Sequence, residues 1–271
     1  MSSAGTARAR RRATRLAAAL AVCAALAACS REEPAPRAAA PVAPAPAVAS
    51  APPAPALAPA RAWALGTSAL LTERNRERHD LLAGGPRTEE RAREWRENLV
   101  EWWGVRSRED LLQTLEWLAA EGHRREFERL GAELARLGDD EIKALLASRG
   151  YDDEATQKVE VVTRWYGRLG AKSLLGWDYA RYVALCRWGA LVGYLSEEEA
   201  WARIMPAARR LQRAFGSWRE LGENYLIGRR FWSLRETRAS GRLYEEAYRR
   251  LLEDPQSPWT RYAWDTSLEE G

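Results

Sequence analysis

Side chains equipped for nucleophilic or metal chemistry are few in this 271-residue chain: two histidines, His79 and His123, and three cysteines, Cys23, Cys29 and Cys186. Neither histidine has a second His or Cys at the close spacing of tetrahedral zinc sites, so no metal site is expected, and a cysteine–histidine nucleophile pair is unsupported. Cys186 lies in the apolar run from Tyr182 to Leu195, where a small hydrophobe suits a buried helix face. His123 follows Gly122 and reads as a helix C-terminal cap or a solvated turn. Carboxylates remain. Asp178 or Glu199 could act as a general base, with Arg181 or Arg229 holding an anion, if folding gathers them in one pocket. Asp178 and Arg181 are three apart and can also simply pair on one helical face. No phosphate-cradling glycine loop, nucleotide fingerprint or nucleophile elbow occurs, so no cofactor is expected and no reaction class is favoured.

The first 28 residues read as a targeting segment. Arg8, Arg10, Arg11, Arg12 and Arg15 precede the uncharged stretch Leu16 to Leu26, which ends in Ala27 and Ala28. That is the order of a secretory signal, and the run falls short of the roughly 20 apolar residues a membrane span needs. Leu26, Ala27, Ala28 and Cys29 resemble the lipobox of bacterial lipoproteins, in which the cysteine carries the lipid and becomes the first mature residue. Several acyl chains give a lasting anchor, because each buried methylene contributes about 0.8 kcal/mol. Ser30 is similar to the outer-membrane sorting pattern of such lipoproteins. The expected location is therefore membrane-anchored and facing the periplasm, with the outer membrane favoured over the inner; a cytoplasmic protein is the alternative if the leader does not function. Processing would leave Cys186 as the sole thiol beside the lipidated Cys29, so no internal disulfide is available. It also removes the basic balance. The whole chain has a formal charge of +4, and without the five leader arginines it falls to −1, which leaves no electrostatic footprint for nucleic acid.

Residues 29–61 are mostly Ala and Pro, as in Pro41 to Pro46 and Ala51 to Pro55. Proline fixes φ and removes amide donors, so this stretch reads as a disordered, extended tether at roughly 3.1 Å per residue. The remaining residues, 62–271, are assigned to one domain, with 62–87 open between a first helix and more linker.

From Thr88 onward the elements that would position any site read as helices. Thr88 caps a helix carrying Trp95, Leu99, Trp102 and Trp103 as far as Gly104, and Ser107 with Asp110 opens another that stops at Gly122. Further helices are predicted over 124–137, 139–148, 153–168, 176–194, 196–215, 217–238 and 241–253. Ser196 with Glu199, and Ser217 with Glu220, are capping pairs. Val159 to Val162 could be helix or strand, but no useful length alternates at period two, so the fold class is all-α: a single multi-helix bundle-like domain. The 13 tryptophans are spread from Trp63 to Trp264 and read chiefly as core, each needing an acceptor for its indole N–H.

One stretch has a recognisable order: Gly176 to Arg181, Arg187 to Trp201, Phe215 to Trp218 and Tyr225 to Trp232. With Trp103, Gly122, His123 and the closing Ser257 to Trp259, it resembles the bacterial family called domain of unknown function 1266, over roughly residues 60–265. The resemblance implies a helical bacterial domain and carries no catalytic residues over. The candidate pocket or structural motif is Trp177, Asp178, Arg181, Trp201, Trp218, Tyr225, Arg229 and Trp232. The favoured reading is a lipid-anchored envelope protein that binds an envelope protein or peptide without catalysing a reaction. Alternatives are an Asp/Glu-dependent envelope hydrolase and a toxin-neutralising or regulatory partner protein.

Overall fold

Hydroxyl and carboxylate caps set most of the helix starts. In the computed structural model, which describes residues 57–147 and 152–269, the side chains of Thr88, Ser107, Asp152, Ser196, Ser217 and Ser233 each accept the backbone N–H three residues on, satisfying one of the four donors a helix leaves open at its start. The helices are α1 (Pro59–Gly66), α2 (Ala69–Arg74), α3 (Glu89–Trp103), α4 (Arg108–Ala120), α5 (Gly122–Leu134), α6 (Asp139–Ala147), α7 (Asp153–Leu169), α8 (Leu175–Val192), α9 (Glu197–Ala214), α10 (Trp218–Trp232), α11 (Leu234–Glu253) and α12 (Pro258–Arg261), with a 3-10 turn at Gly170–Lys172. The fold is all-α, with no strand among the described residues. The leader, Cys29 and the tether as far as residue 56 lie outside the described residues.

Two boundaries differ from expectation. Residues 217–238 do not form one helix: Ser233 ends α10 and caps α11 through the Glu236 N–H, so Gly241 sits inside α11 rather than at its start. Helix α1 also starts ahead of residue 62: Pro59 occupies its first turn, where its missing N–H costs nothing and its fixed φ is already helical.

Helix α8 is the hub, packed against α2, α3, α4, α5, α9 and α10. All of it except Tyr182 is buried, and a helix apolar around its whole circumference belongs in a core. Yet it carries Asp178, Arg181 and Arg187, all buried. Burying a charge is tolerated only with partners, and the partners of these three organise the rest of the chain.

Arg187 orders the segment that the sequence left open. Its Nε donates to Leu82 O (3.0 Å), Nη1 to Ser68 Oγ (3.0 Å) and Thr72 Oγ1, and Nη2 to Arg78 O (3.0 Å) and Leu81 O (3.3 Å). The adjacent Trp188 donates its indole N–H to Glu77 (3.2 Å), which also pairs with Arg91 at 3.2 Å. Residues 67–88 are thus wrapped around two side chains of α8.

Four tryptophans close the domain. Trp63 of α1 lies 4.6 Å from Trp218 and 5.0 Å from Trp264, ring centroid to centroid, and Trp218 stacks on Trp259 at 5.9 Å. Each indole N–H reaches a backbone carbonyl: Trp63 to Ala263, Trp218 to Tyr262, Trp259 to Gly66 and Trp264 to Phe215, at 2.8 to 3.1 Å. Helix α1 is thereby joined to α12.

Candidate functional site

Asp178 stands in the first turn of α8 with no exposed surface. Its Oδ1 accepts the His123 backbone N–H (3.0 Å) and Arg181 Nη2 (3.1 Å), and its Oδ2 accepts the Arg124 backbone N–H (3.1 Å) and Arg124 Nη1 (3.0 Å). The carboxylate therefore caps the N-terminus of α5 from another helix, where the helix dipole favours negative charge. Arg124 also donates to Leu118 O (2.7 Å) and Ala119 O (2.6 Å), the last carbonyls of α4. One ion pair thus fixes the α4–α5 corner onto α8. Burial pushes the Asp178 carboxyl above its ordinary range, opposed by Arg181 and the two backbone donors.

Gly122 makes the corner. Its φ is +57°, a left-handed conformation that favours glycine, and a Cβ there would overlap the Asp178 carboxylate. His123 is buried in the first turn of α5, neither a C-terminal cap nor a solvated turn. Its Nδ1 lies 2.8 Å from Arg181 Nη2; an arginine can only donate, so that nitrogen is assigned as the bare one and Nε2 as protonated. Burial, helped by Arg181, holds the imidazole well below its ordinary pKa and therefore neutral.

Trp177 connects this cluster to α10. It packs on Tyr225 (4.9 Å) and Trp232 (5.8 Å), and the Arg181 guanidinium lies 4.1 Å above its ring. The close approach depends on Gly228, where a Cβ would overlap Trp177. Asn224, also on α10, accepts Gly176 N–H (2.8 Å) and donates to Ser173 O (2.7 Å), capping α8 as Asp178 caps α5. Arg229 is a step away: it lies 4.3 Å from the ring of Tyr244, which stacks on Tyr225.

Of the eight predicted site residues, the structure brings Trp177, Asp178, Arg181, Tyr225 and Trp232 together, with Arg229 adjoining. Trp218 belongs to the closing tryptophan cluster, and Trp201 lies on α9 beside Arg61 (4.9 Å). Arg124, Arg187 and Asn224 escaped the sequence reading. A charge in the apolar run of α8 was a signal for Arg187; Arg124 and Asn224 had none, because their partners lie about fifty residues away.

Neither proposed base has the arrangement of one, since a base needs an accessible lone pair near the operating pH. Asp178 has both oxygens engaged and no access to solvent. The Arg108 guanidinium, bonded to Glu199 at 2.5 and 3.0 Å, holds that carboxyl down at about 2, helped by the Ser196 backbone N–H. Burial pushes the Cys186 thiol up, away from thiolate reactivity. Among the described residues no cluster of His, Cys, Asp and Glu could hold a metal ion, and no helix is long and apolar enough to cross a membrane.

Described residues form two surface grooves away from this cluster. One, of about 590 Å³, runs along the face of α9 that carries Trp201, Ala202, Met205 and Pro206, with Arg61 and Arg209 at its edges. Trp201 is buried and its indole N–H has no acceptor among the described residues. Pro206, inside α9, has no N–H to give, so the Ala202 carbonyl lacks its helical donor. A buried indole N–H without an acceptor among the described residues and a carbonyl without its helical donor therefore occur on successive residues of one groove. The Trp177 indole N–H also meets no acceptor among the described residues, but that side chain lines neither groove. The second groove, of about 380 Å³, lies between α7, α10 and α11.

The chain shares 29% identity over 130 residues with an uncharacterized protein of Escherichia coli K12, YbeU, and 32% over 132 residues with another, YbeR. Each alignment covers 48% of this chain and 54% of the relative, so the chain spans about half the length of the curated relatives it matches. No solved structure matches it. The family model for proteins of unknown function DUF1266 matches residues 98–264, a segment that contains the Asp178 cluster, α8 and most of the closing tryptophans. The chain belongs to the DUF1266 family.

Proposed function

We propose that this chain is a lipid-anchored envelope protein, held in the membrane through Cys29, whose helical domain binds an extended peptide segment of an envelope partner in the Trp201 groove without catalysing a reaction. The observation that carries the binding reading is the pairing of a buried, unpartnered indole N–H at Trp201 with the Ala202 carbonyl that Pro206 leaves without a donor. A buried donor such as the Trp201 N–H is nearly always satisfied, and Ala202 is exposed, so its carbonyl is open to a partner. An extended peptide offers both partners, a carbonyl for Trp201 and an amide for Ala202, while Met205 and the Trp201 ring supply apolar surface. The motif carboxylate and its arginines are spent on joining helices, which leaves recognition to the surface. Support for the anchor comes from the order of the leader and from Leu26, Ala27, Ala28 and Cys29.

The binding test compares wild type with Trp201→Phe and Pro206→Ala on a library of acetylated, amidated heptapeptides. Pro206→Ala returns a donor to the Ala202 carbonyl and raises helix propensity, so it should gain stability while losing affinity, and Trp201→Phe should lose affinity as well. Undiminished binding by both variants would refute the groove. Mass spectrometry of the mature N-terminus from membrane fractions, with Cys29→Ala as control, tests the anchor separately: an acylated Cys29 supports it, and an unmodified soluble chain that keeps its first residues overturns it.

A further inference from the structure

We propose that the groove between α7, α10 and α11 is a second site, which takes the carboxylate of a small, partly apolar ligand. Four arginines and two glutamates line it. Two of the arginines are neutralised by neighbours, Arg230 by Glu245 (2.7 Å) and Arg242 by Glu246 (3.0 Å). Arg229 is different. It is 4% exposed, its guanidinium carbon lies 4.3 Å over the ring of Tyr244, and its Nη2 is held by Glu236 O (2.7 Å) and Ser240 Oγ (2.6 Å). Among the described residues its hydrogen-bond partners are both neutral, no carboxylate pairs with its charge, and Nε and Nη1 have no acceptor.

A guanidinium buried to this degree and stacked on a ring is already fixed in orientation, so a ligand oxygen that meets it loses little to ordering. The bond would be charge-assisted, the stronger kind. Arg164, resting 5.4 Å from the Trp165 ring, adds a second positive charge on the opposite wall. Trp165, Leu226 and Tyr244 supply apolar surface for the body of the ligand, and 380 Å³ is within the usual range of small-molecule sites. The two glutamates in the lining disfavour a dianion, and inorganic phosphate has no apolar body for these walls. Gly241 keeps the floor open: a Cβ there would meet only Thr237 Cγ2, at an ordinary 3.6 Å.

The test is calorimetric titration of the full chain using acetate, N-acetylleucine and N-acetyltryptophan, each against its neutral amide, and inorganic phosphate. At least one apolar carboxylate should bind tenfold or more tightly than its amide. Gly241→Leu fills the groove from a helix-favourable position, so it should abolish that preference while melting no lower than wild type; Arg164→Ala should weaken it severalfold. The inference is overturned if no carboxylate outbinds its amide, if phosphate outbinds all three carboxylates, or if folded Gly241→Leu retains the preference.

Discussion

Replacing Asp178 by Asn changes one atom and no volume, yet it removes the counter-ion of Arg124 and Arg181 and turns one acceptor into a donor. Whichever way the amide is placed, its NH2 faces either the His123 N–H and Arg181 or the Arg124 N–H and Nη1. Both arginines are at least nine-tenths buried, so neither can swing to water without carrying its helix along. Breaking a buried ion pair by removing one partner costs about 3–5 kcal/mol, against a total stability of roughly 5–15 kcal/mol. In urea, with a slope near 3 kcal/mol per molar, the midpoint should fall by about 1–2 M. The measurement is equilibrium unfolding followed by far-ultraviolet circular dichroism. An Arg181→Met background should lessen the loss, because the two residues share one interaction. A midpoint within about 0.3 M of wild type, or about 1 kcal/mol, would refute the claim that this carboxylate fixes the α4–α5 corner. A simple loss of activity in this variant would therefore not identify a catalytic base, since the fold itself is the first casualty.

Three further outcomes are expected. Gly228→Ala forces a methyl into Trp177 Cβ, which cannot swing aside, and should cost about 1–3 kcal/mol, whereas Gly241→Ala, with open space around it, should gain about 0.5–1 kcal/mol; equal effects on melting would contradict the packing described. His123 has a folded pKa lowered by burial, so the unfolded chain takes the proton first as pH falls below about 6.5, and stability should drop by up to about 1.4 kcal/mol per pH unit from there toward the folded value. Asp178, shifted upward, contributes the opposite slope in the carboxyl range above its ordinary value, so the His123 contribution is read as the difference from His123→Gln, which keeps an acceptor for Arg181. Denaturation curves of the two proteins that stay parallel between pH 6.5 and 5 would show that the imidazole is not neutral in the fold. Trp259→Phe strands the buried Gly66 carbonyl and should cost about 1–3 kcal/mol, measured by thermal melting; an unchanged midpoint would remove the tryptophan cluster from the stabilising contacts.

Local chemistry was the legible part of this sequence. A helix start needs a hydroxyl or carboxylate and a nearby N–H, all within four residues, so Thr88, Ser107, Ser196 and Ser217 gave their boundaries correctly. Ser233 with Glu236 carries the same signal and sets the start of α11, so that Gly241 falls inside the helix. Gly122 with His123 was misread for a different reason. What turns the glycine into the start of α5 is a carboxylate 55 residues further on, and no local pattern reports that. The same holds for residues 67–88, which look like linker until Arg187 is placed among their carbonyls. Within the motif, helical spacing placed Trp177, Asp178 and Arg181 together, and it brought Tyr225, Arg229 and Trp232 onto one helix; only tertiary packing separates Trp201 and Trp218 from them.

The tryptophan closure also sets a timetable. The bond from Trp63 to the Ala263 carbonyl spans 200 residues of chain, and α1 packs on α9 and α12, both made late. At roughly 5–20 residues per second, the first helix waits about 10–40 s of synthesis for the surfaces that cover Trp63 and Leu65. Among the described helices the earliest to be made is the last to find its place, so a chaperone has its longest opportunity to hold the nascent protein at α1.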